Sequence, residues 1–413
     1  MAGTATVEEN SLRDLAFGFD PEQLPAAFFA DPYPTYRALR EHAPVHRCPD
    51  GTLFLTRYAD LDAIYRDRGH FSSEKTSVFG PKFGPGSPLF QHHTTSLVFS
   101  DPPYHTRVRR QIVGALSPSS IRAMAGGLAT LIDRLLAELE RKGQFDLIED
   151  FAAAIPVEVI GNLLGVPHSE RGPLRGWSLA ILGALDPSLS AEQLARGQQA
   201  VSEFLEFTRL LVRDRRAHLK GPDDLLSRLI RDETGGEPLS EHELLHNCIF
   251  LLNAGHETTT NLIGNGLNLL LMHPEERERL AANPALIASA VEECLRFESS
   301  NQFGNRMVSA PVVIGDISLN PGTYLTLCIG AANRDPAEFR DPERFDVGRE
   351  PNRHLAFAAG GHACAGMAVA RLEGQMAIAR ILERFPNMRL TGAGVRAQRA
   401  RFRGFLTLPA AAC

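Results

Sequence analysis

The chain has 413 residues, 44% hydrophobic and 22% charged, with a formal net charge of −6. That balance suits a globular protein with a large core and argues against general nucleic-acid binding, which needs a strongly basic surface. Six scattered cysteines without CxxC spacing match neither a disulfide framework nor a zinc module.

No stretch approaches the ~20 consecutive apolar residues of a membrane span. The opening MAGTATVEENSLRD is small, polar and acidic, without the basic and apolar regions of a signal peptide. A soluble cytoplasmic protein is expected, with a flexible N-terminal segment over about residues 1–18.

Helix signals dominate from the start. DPYPTYRALREHAP opens with Asp31-Pro32 and closes at Pro44, as a short helix does. GTLFLTRY then alternates like a strand, and ADLDAIYRD returns to helix. SSEKTSVFGPKFGPGSPLFQHH carries three glycines and three prolines between Gly80 and Pro88. It reads as a long irregular segment, either disordered or a functional cover.

After Asp101-Pro102-Pro103, YHTRVRRQIVGALS is helical and rich in arginine. His105 and Arg109 lie four apart there, on one face. Amphipathic helices follow, with turns at GPLRGW and LDPSLS. Ser240 with Glu243 makes a capping box, and the apolar pattern then runs without proline to His273. Such a helix is roughly 50 Å long at ~1.5 Å per residue. The last third mixes the strands VVIGDISL and TYLTLCIG with helices. No linker, repeat or low-complexity tract appears, so the prediction is a single mainly α domain over residues 1–413 with a smaller β portion.

Two segments carry chemistry. In HLAFAAGGHACAG, Phe357, Gly360, Cys364 and Gly366 give Phe-x-x-Gly-x-x-x-Cys-x-Gly. Glycines let a backbone pass close to a flat ligand. A cysteine just before a helix start sits where free amides and the positive dipole end stabilise a thiolate, which suits an axial haem iron ligand. Zinc would need roughly four ligands, and only His362 stands near; a nucleophilic cysteine would need His362 or His354 as base. The loop alone leaves a haem site and a plain flexible turn in balance. In the second segment, AGHETT, an acid and an alcohol (Glu257, Thr258) interrupt an apolar helix face. On an isolated helix Glu257 would face solvent and Thr258 would bond back to a carbonyl one turn earlier.

The chain resembles the soluble bacterial cytochromes P-450, haem-thiolate monooxygenases. The resemblance runs in order through DPYPTYRALREHAPV, DPPYHTRVRR, LLNAGHETTTN, EECLRF, RDPERFD and HLAFAAGGHACAG, and so covers nearly the whole chain. Ala358 departs from it, where relatives commonly carry a second glycine. The resemblance implies the P-450 fold, with a long central helix over a buried haem b. Cys364 would be the iron ligand, in a loop with Phe357 and Gly366. His105, Arg109, Arg306 and His354 would hold the propionates. Ala254 and Gly255 would leave room for O2; Thr258 would hold oxygen and a water, and Glu257 would connect them to solvent protons. His256, between them, reads as a surface or packing residue. Glu293 and Arg296, joined by Arg344, would form a buried supporting network.

The same resemblance puts substrate contacts at Leu97, Val98, Leu251, Ala254, Phe303 and Phe405, each equally acceptable as core. It implies hydroxylation or O-dealkylation of a small hydrophobic substrate by a monomer. Electrons would pass from NAD(P)H through a separate ferredoxin reductase and ferredoxin, with Arg107 and Arg110 attracting the acidic donor. Lys75, Lys82, His92 and His93 suggest a hydrophobic or aromatic carboxylic acid as substrate, with solvated side chains as the plain alternative. A peroxygenase, or a haem sensor without turnover, are the competing functions.

Overall fold

The computed structural model describes residues 2–218, 224–231 and 238–412. The backbone gathers into two compact units. One comprises Met1–Ser72, Met272–Cys364 and Arg396–Gly404; the other comprises Ser73–Leu271, Ala365–Val395 and Phe405–Cys413. Each collects three separated stretches, so no single cut in the chain divides them, and this is why no linker is legible in the sequence.

The first unit is organised on a five-stranded sheet, in the order Val45–Arg47, Leu53–Leu55, Tyr324–Cys328, Phe303–Val308, Phe71–Ser72. Leu53–Leu55 runs parallel to Tyr324–Cys328, and the other pairings are antiparallel. Leu53, Phe54 and Leu55 are all buried, as expected of a strand covered on both faces. Asp31 accepts the Tyr33 amide at 3.1 Å and so starts the helix Tyr33–His42 where the sequence signal put it. The N-terminal residues include a helix, Ala2–Phe17, which packs on Tyr33–His42 and buries Ala16.

The second unit is mainly helical. Its longest element is Glu241–Met272, which belongs to this unit through Leu271. The capping box forms as read: the Ser240 amide donates to Glu243 Oε2 at 2.7 Å, and the Glu243 amide donates to Ser240 Oγ at 3.2 Å. From Leu244 to Leu270 the helix is buried except at Phe250, Ala254, Gly255, Thr258 and Asn268. Phe250, Ala254 and Thr258 recur every four residues, so one stripe of this otherwise enclosed helix stays partly open.

The segment read as irregular is ordered into two short helices, Thr76–Phe83 and Pro88–Thr95. Its glycines and prolines punctuate it. Gly84 and Gly86 take positive φ at the junction, and Ser87 caps the second helix, whose first position is Pro88. Phe79, Phe83 and Leu89 bury the inner face in one apolar cluster with Leu97 and Leu251. Among the described residues no helix is long and apolar enough to cross a membrane.

Removing the Ser240 hydroxyl frees the Glu243 amide at the head of the long helix. Ser240→Ala is expected to cost about 1 kcal/mol in urea unfolding, and an unchanged midpoint would show that the cap is dispensable.

Candidate active site

Cys364 is half-buried and takes part in no disulfide. Its amide donates to the Phe357 carbonyl at 2.9 Å, and the Ala363 amide donates to the Gly360 carbonyl at 3.2 Å. These bonds close the loop just ahead of the helix Met367–Arg384. Gly360 has φ +67°, and a Cβ there would lie 2.1 Å from the Tyr65 carbonyl oxygen, so only glycine fits. Ala358 also sits in the left-handed region, at φ +54°, a conformation that glycine takes without strain. A Cβ on Gly366 would meet nothing within 4 Å, so the loop is open on that side. Among the described residues no group of three or more His, Cys, Asp or Glu is arranged to hold a metal ion. A thiol before a helix start, in a loop open beside a glycine, fits a haem.

The cations expected to hold propionates occur in both units. In the first, Arg306 is buried over the Tyr65 ring, with its guanidinium 5.1 Å from the ring centre, and donates to the Asn305 carbonyl at 2.8 Å. His354 Nδ1 accepts the Ala356 amide at 3.3 Å, so Nε2 carries the proton and donates to Glu292 at 3.1 Å. Both ring nitrogens are therefore engaged, which leaves His354 poorly suited to serve as a base for a cysteine nucleophile. In the second unit, His105 is buried and Arg109 half-buried on the helix Tyr104–Ala115. Arg107 on that helix is not available for a partner. It pairs with Glu243, donates to the Pro238 carbonyl at 3.1 Å and lies over the Tyr104 ring. Arg110 is exposed.

On the long helix, Thr258 Oγ1 donates to the Ala254 carbonyl at 2.9 Å. A hydroxyl has one proton, so Thr258 meets anything beyond the helix with acceptor lone pairs only. Glu257 is buried, and His256 is 2% exposed, so of its two readings, surface or packing, burial selects packing.

Of the substrate candidates, Leu97 and Leu251 are brought together in the apolar cluster of the second unit. Val98 is 39% exposed, and Ala254 is half-buried. Phe405 lies in the strand Phe405–Thr407 with its ring against Gly394. Phe303 is corrected to a core residue: it is 2% exposed and packs on Phe54 with ring centres 5.2 Å apart. The basic residues of the 75–93 stretch are not solvated as a set. Lys75, His92 and His93 are buried, and Lys82 donates to the Asp186 carbonyl. His92 stacks near His93 and His246, at 5.1 and 5.7 Å between ring centres. Burial, with those two rings beside it, holds His92 well below the usual histidine range.

Glu293 and Arg296 form the expected buried pair, fully enclosed, with bonds of 2.7 and 2.8 Å. The third member is Arg349, not Arg344. Arg349 Nε donates to both Glu293 oxygens at 3.1 Å, and Asn352 and the Asp346 amide complete the carboxylate's partners. Arg344 contributes only its backbone carbonyl, to Arg296 and Arg349; its side chain is 65% exposed and reaches Glu276 at 4.0 Å. No sequence signal separates the two arginines, which stand five apart in one turn-rich run.

The family model for cytochrome P-450 matches residues 184–409. The biotin biosynthesis cytochrome P-450 of Bacillus subtilis (strain 168) is 33% identical over 369 residues, covering 88% of this chain and 91% of that protein. Among solved structures, P-450 BioI in complex with hexadec-9Z-enoic acid ligated acyl carrier protein superposes with a TM-score of 0.88. Its identity is 32%, over 94% of this chain and 100% of that one. A myxobacterial cytochrome P-450 in complex with myristic acid gives a TM-score of 0.87 at 32% identity, over 95% and 99%.

Removing Arg349 would leave the buried Glu293 carboxylate short of a counter-charge. Arg349→Met should cost about 3 kcal/mol in urea unfolding, whereas Arg344→Met should stay within about 0.5 kcal/mol. Equal losses would return Arg344 to the network.

Proposed function

This chain belongs to the cytochrome P-450 family and is a haem b monooxygenase that uses O2 and electrons from NAD(P)H delivered by redox partners, and we propose that Cys364 is its iron ligand and a hydrophobic carboxylic acid its substrate. The observation that carries the ligand assignment is the Cys364 loop, tied to the Phe357 carbonyl and pinned at Gly360, where no side chain fits. The haem, when bound, supplies dioxygen activation, which a thiolate ligand favours by pushing electron density onto the iron.

The rest of the reading concerns what the side chains do. The amides and dipole at the start of Met367–Arg384 stabilise the Cys364 thiolate. Arg306, His105 and Arg109 would meet the propionate carboxylates with charge-assisted hydrogen bonds, and His354 would join them by turning its Nε2–H away from Glu292; Phe357 and Gly366 would border the ring, and Ala254 with Gly255 would keep the long helix thin beside it. Thr258 accepts a hydrogen bond from water, and the buried Glu257 passes protons to that water. Glu293 and Arg296, with Arg349, hold the fold and take no part in the chemistry.

Leu97 and Leu251 form part of an apolar substrate wall. The reaction is hydroxylation or O-dealkylation. Two solved relatives carry a fatty acid or a fatty acyl group, which supports a long apolar acid. Lys75, 1% exposed, is the cation we assign to its carboxylate; the neutral His92 can only hydrogen-bond. Ferredoxin and a ferredoxin reductase supply the electrons. Arg68, exposed and alongside Gly361, replaces Arg107 as the attractor of an acidic donor. None of the five described cysteines takes part in a disulfide, which suits a cytoplasmic setting.

The carbon monoxide complex of the reduced protein should show the thiolate-ligated spectrum, and Cys364→Ala should abolish it; persistence in the variant would remove Cys364 as ligand. For the substrate, fatty acids and their methyl esters should be titrated against the haem spin state. The acids should bind roughly tenfold tighter, an advantage of about 1.4 kcal/mol that Lys75→Met removes. Equal affinity within each pair would eliminate the carboxylate reading.

A further inference from the structure

The short helix Leu174–Gly183 and the long helix both belong to the second unit and meet through polar side chains. Ser178 Oγ donates to Asn253 Oδ1 at 2.8 Å, with both residues buried. One turn further along each helix stand Arg175 and His256, and Glu257 follows directly. Arg175 holds Glu149 through two bonds of 2.5 Å, and this pair is partly exposed. Burial and the nearby Arg175 push the His256 imidazole down to about 4, while the hydrogen bond to Glu149, and the charge of Glu257, raise Arg175. Ser178, Asn253, His256, Glu257, Arg175 and Glu149 thus mark a polar strip from the interior of the unit to its surface.

The strip contains more donors and acceptors than its side chains satisfy. Asn253 Nδ2 and both ring nitrogens of His256 are buried and have no protein hydrogen-bond partner. Buried polar atoms are nearly always bonded to protein or to ordered water, and a water that takes such a place bonds to two to four of them. The unmatched atoms lie on one face of the long helix, at i and i+3, with Glu257 at i+4.

We infer that Asn253 and His256 hold ordered water beside the long helix, and that this water carries protons from the solvent edge at Glu149 and Arg175 to Glu257. The inference rests on the proposed role of Glu257 and adds its supply route. Each proton that Glu257 passes on is replaced from the neighbouring water, which in turn takes one from the next water towards solvent. No redox change or bond to carbon is involved, and the positive guanidinium marks the entrance without giving up a proton. His256 and Asn253 are positioning residues. A neutral imidazole offers one donor and one acceptor, so it can align a water chain without trapping the charge.

The test uses the haem-loaded enzyme with its electron supply. A crystal structure should show water within hydrogen-bonding distance of a His256 ring nitrogen and of Asn253 Nδ2; a dry strip would overturn the inference without reference to turnover. In solution, His256→Phe and Asn253→Leu should each lower product formed per NAD(P)H by about tenfold, with hydrogen peroxide rising to match and the solvent isotope effect on turnover growing. The carbon monoxide spectrum and the substrate spin shift should not change, and His256→Gln, which keeps a donor and an acceptor, should restore much of the coupling. Glu257→Gln separates the two layers. If it uncouples while the His256 and Asn253 variants stay coupled, the water route fails and the role of Glu257 stands; if it stays coupled, both fail together. Should His256→Phe not fold, Asn253→Leu and the crystallographic waters decide.

Discussion

Much of the first unit turns on one residue, Tyr65. Its carbonyl abuts Gly360 so closely that no Cβ is tolerated there, which seats the cysteine loop on the helix Tyr58–Arg66. Its ring lies beneath the Arg306 guanidinium, and its hydroxyl backs onto Gly304. The loop that presents the thiol and the strand that presents Arg306 are therefore referenced to the same side chain. A site that needs its groups held to a fraction of an ångström benefits from such a shared anchor, because a shift of one support moves both groups together.

Electrostatics does comparable work at two buried carboxylates. Glu293 is enclosed by Arg296 and Arg349. Five residues on, Glu298 bonds to Arg403 and Tyr33, with Arg396 and Arg334 nearby. Burial alone would raise the Glu298 carboxyl, yet Arg403, Arg396 and Arg334 hold it below the usual range. Arg403 comes from the stretch Arg396–Gly404, so this cluster draws the last segment of the unit onto the stretch that carries Glu298. Neither carboxylate is close to the reactive loop in sequence; their effect is on the framework.

The parts legible in the sequence were those set by local chemistry. A serine and a glutamate three residues apart started the long helix as read, and the pattern around Cys364 identified the loop that the structure closes. What stayed hidden depended on tertiary contact. Arg344 and Arg349 are equally plausible partners for Glu293 until the chain folds back, and an aromatic such as Phe303 reads the same in a core as in a pocket. In the Gly- and Pro-rich stretch those residues mark helix ends as well as gaps, and only Phe79 and Phe83, four apart on one helix, have the spacing of a buried face. His256 reads as surface or packing alike in the sequence, and that both its ring nitrogens are buried without a protein hydrogen bond appears only in three dimensions.

Ala358 adds a last consequence. A methyl group at φ +54° costs about 1–2 kcal/mol, more than the roughly 0.4–1 kcal/mol that alanine gains over glycine by narrowing the range of shapes open to the unfolded loop. The strain is the larger of the two, so the loop carries the methyl at a net cost that its surroundings must offset. What the alanine adds is stiffness: with fewer shapes open to it than a glycine has, Ala358 holds the bend that leads into the turn at Gly360.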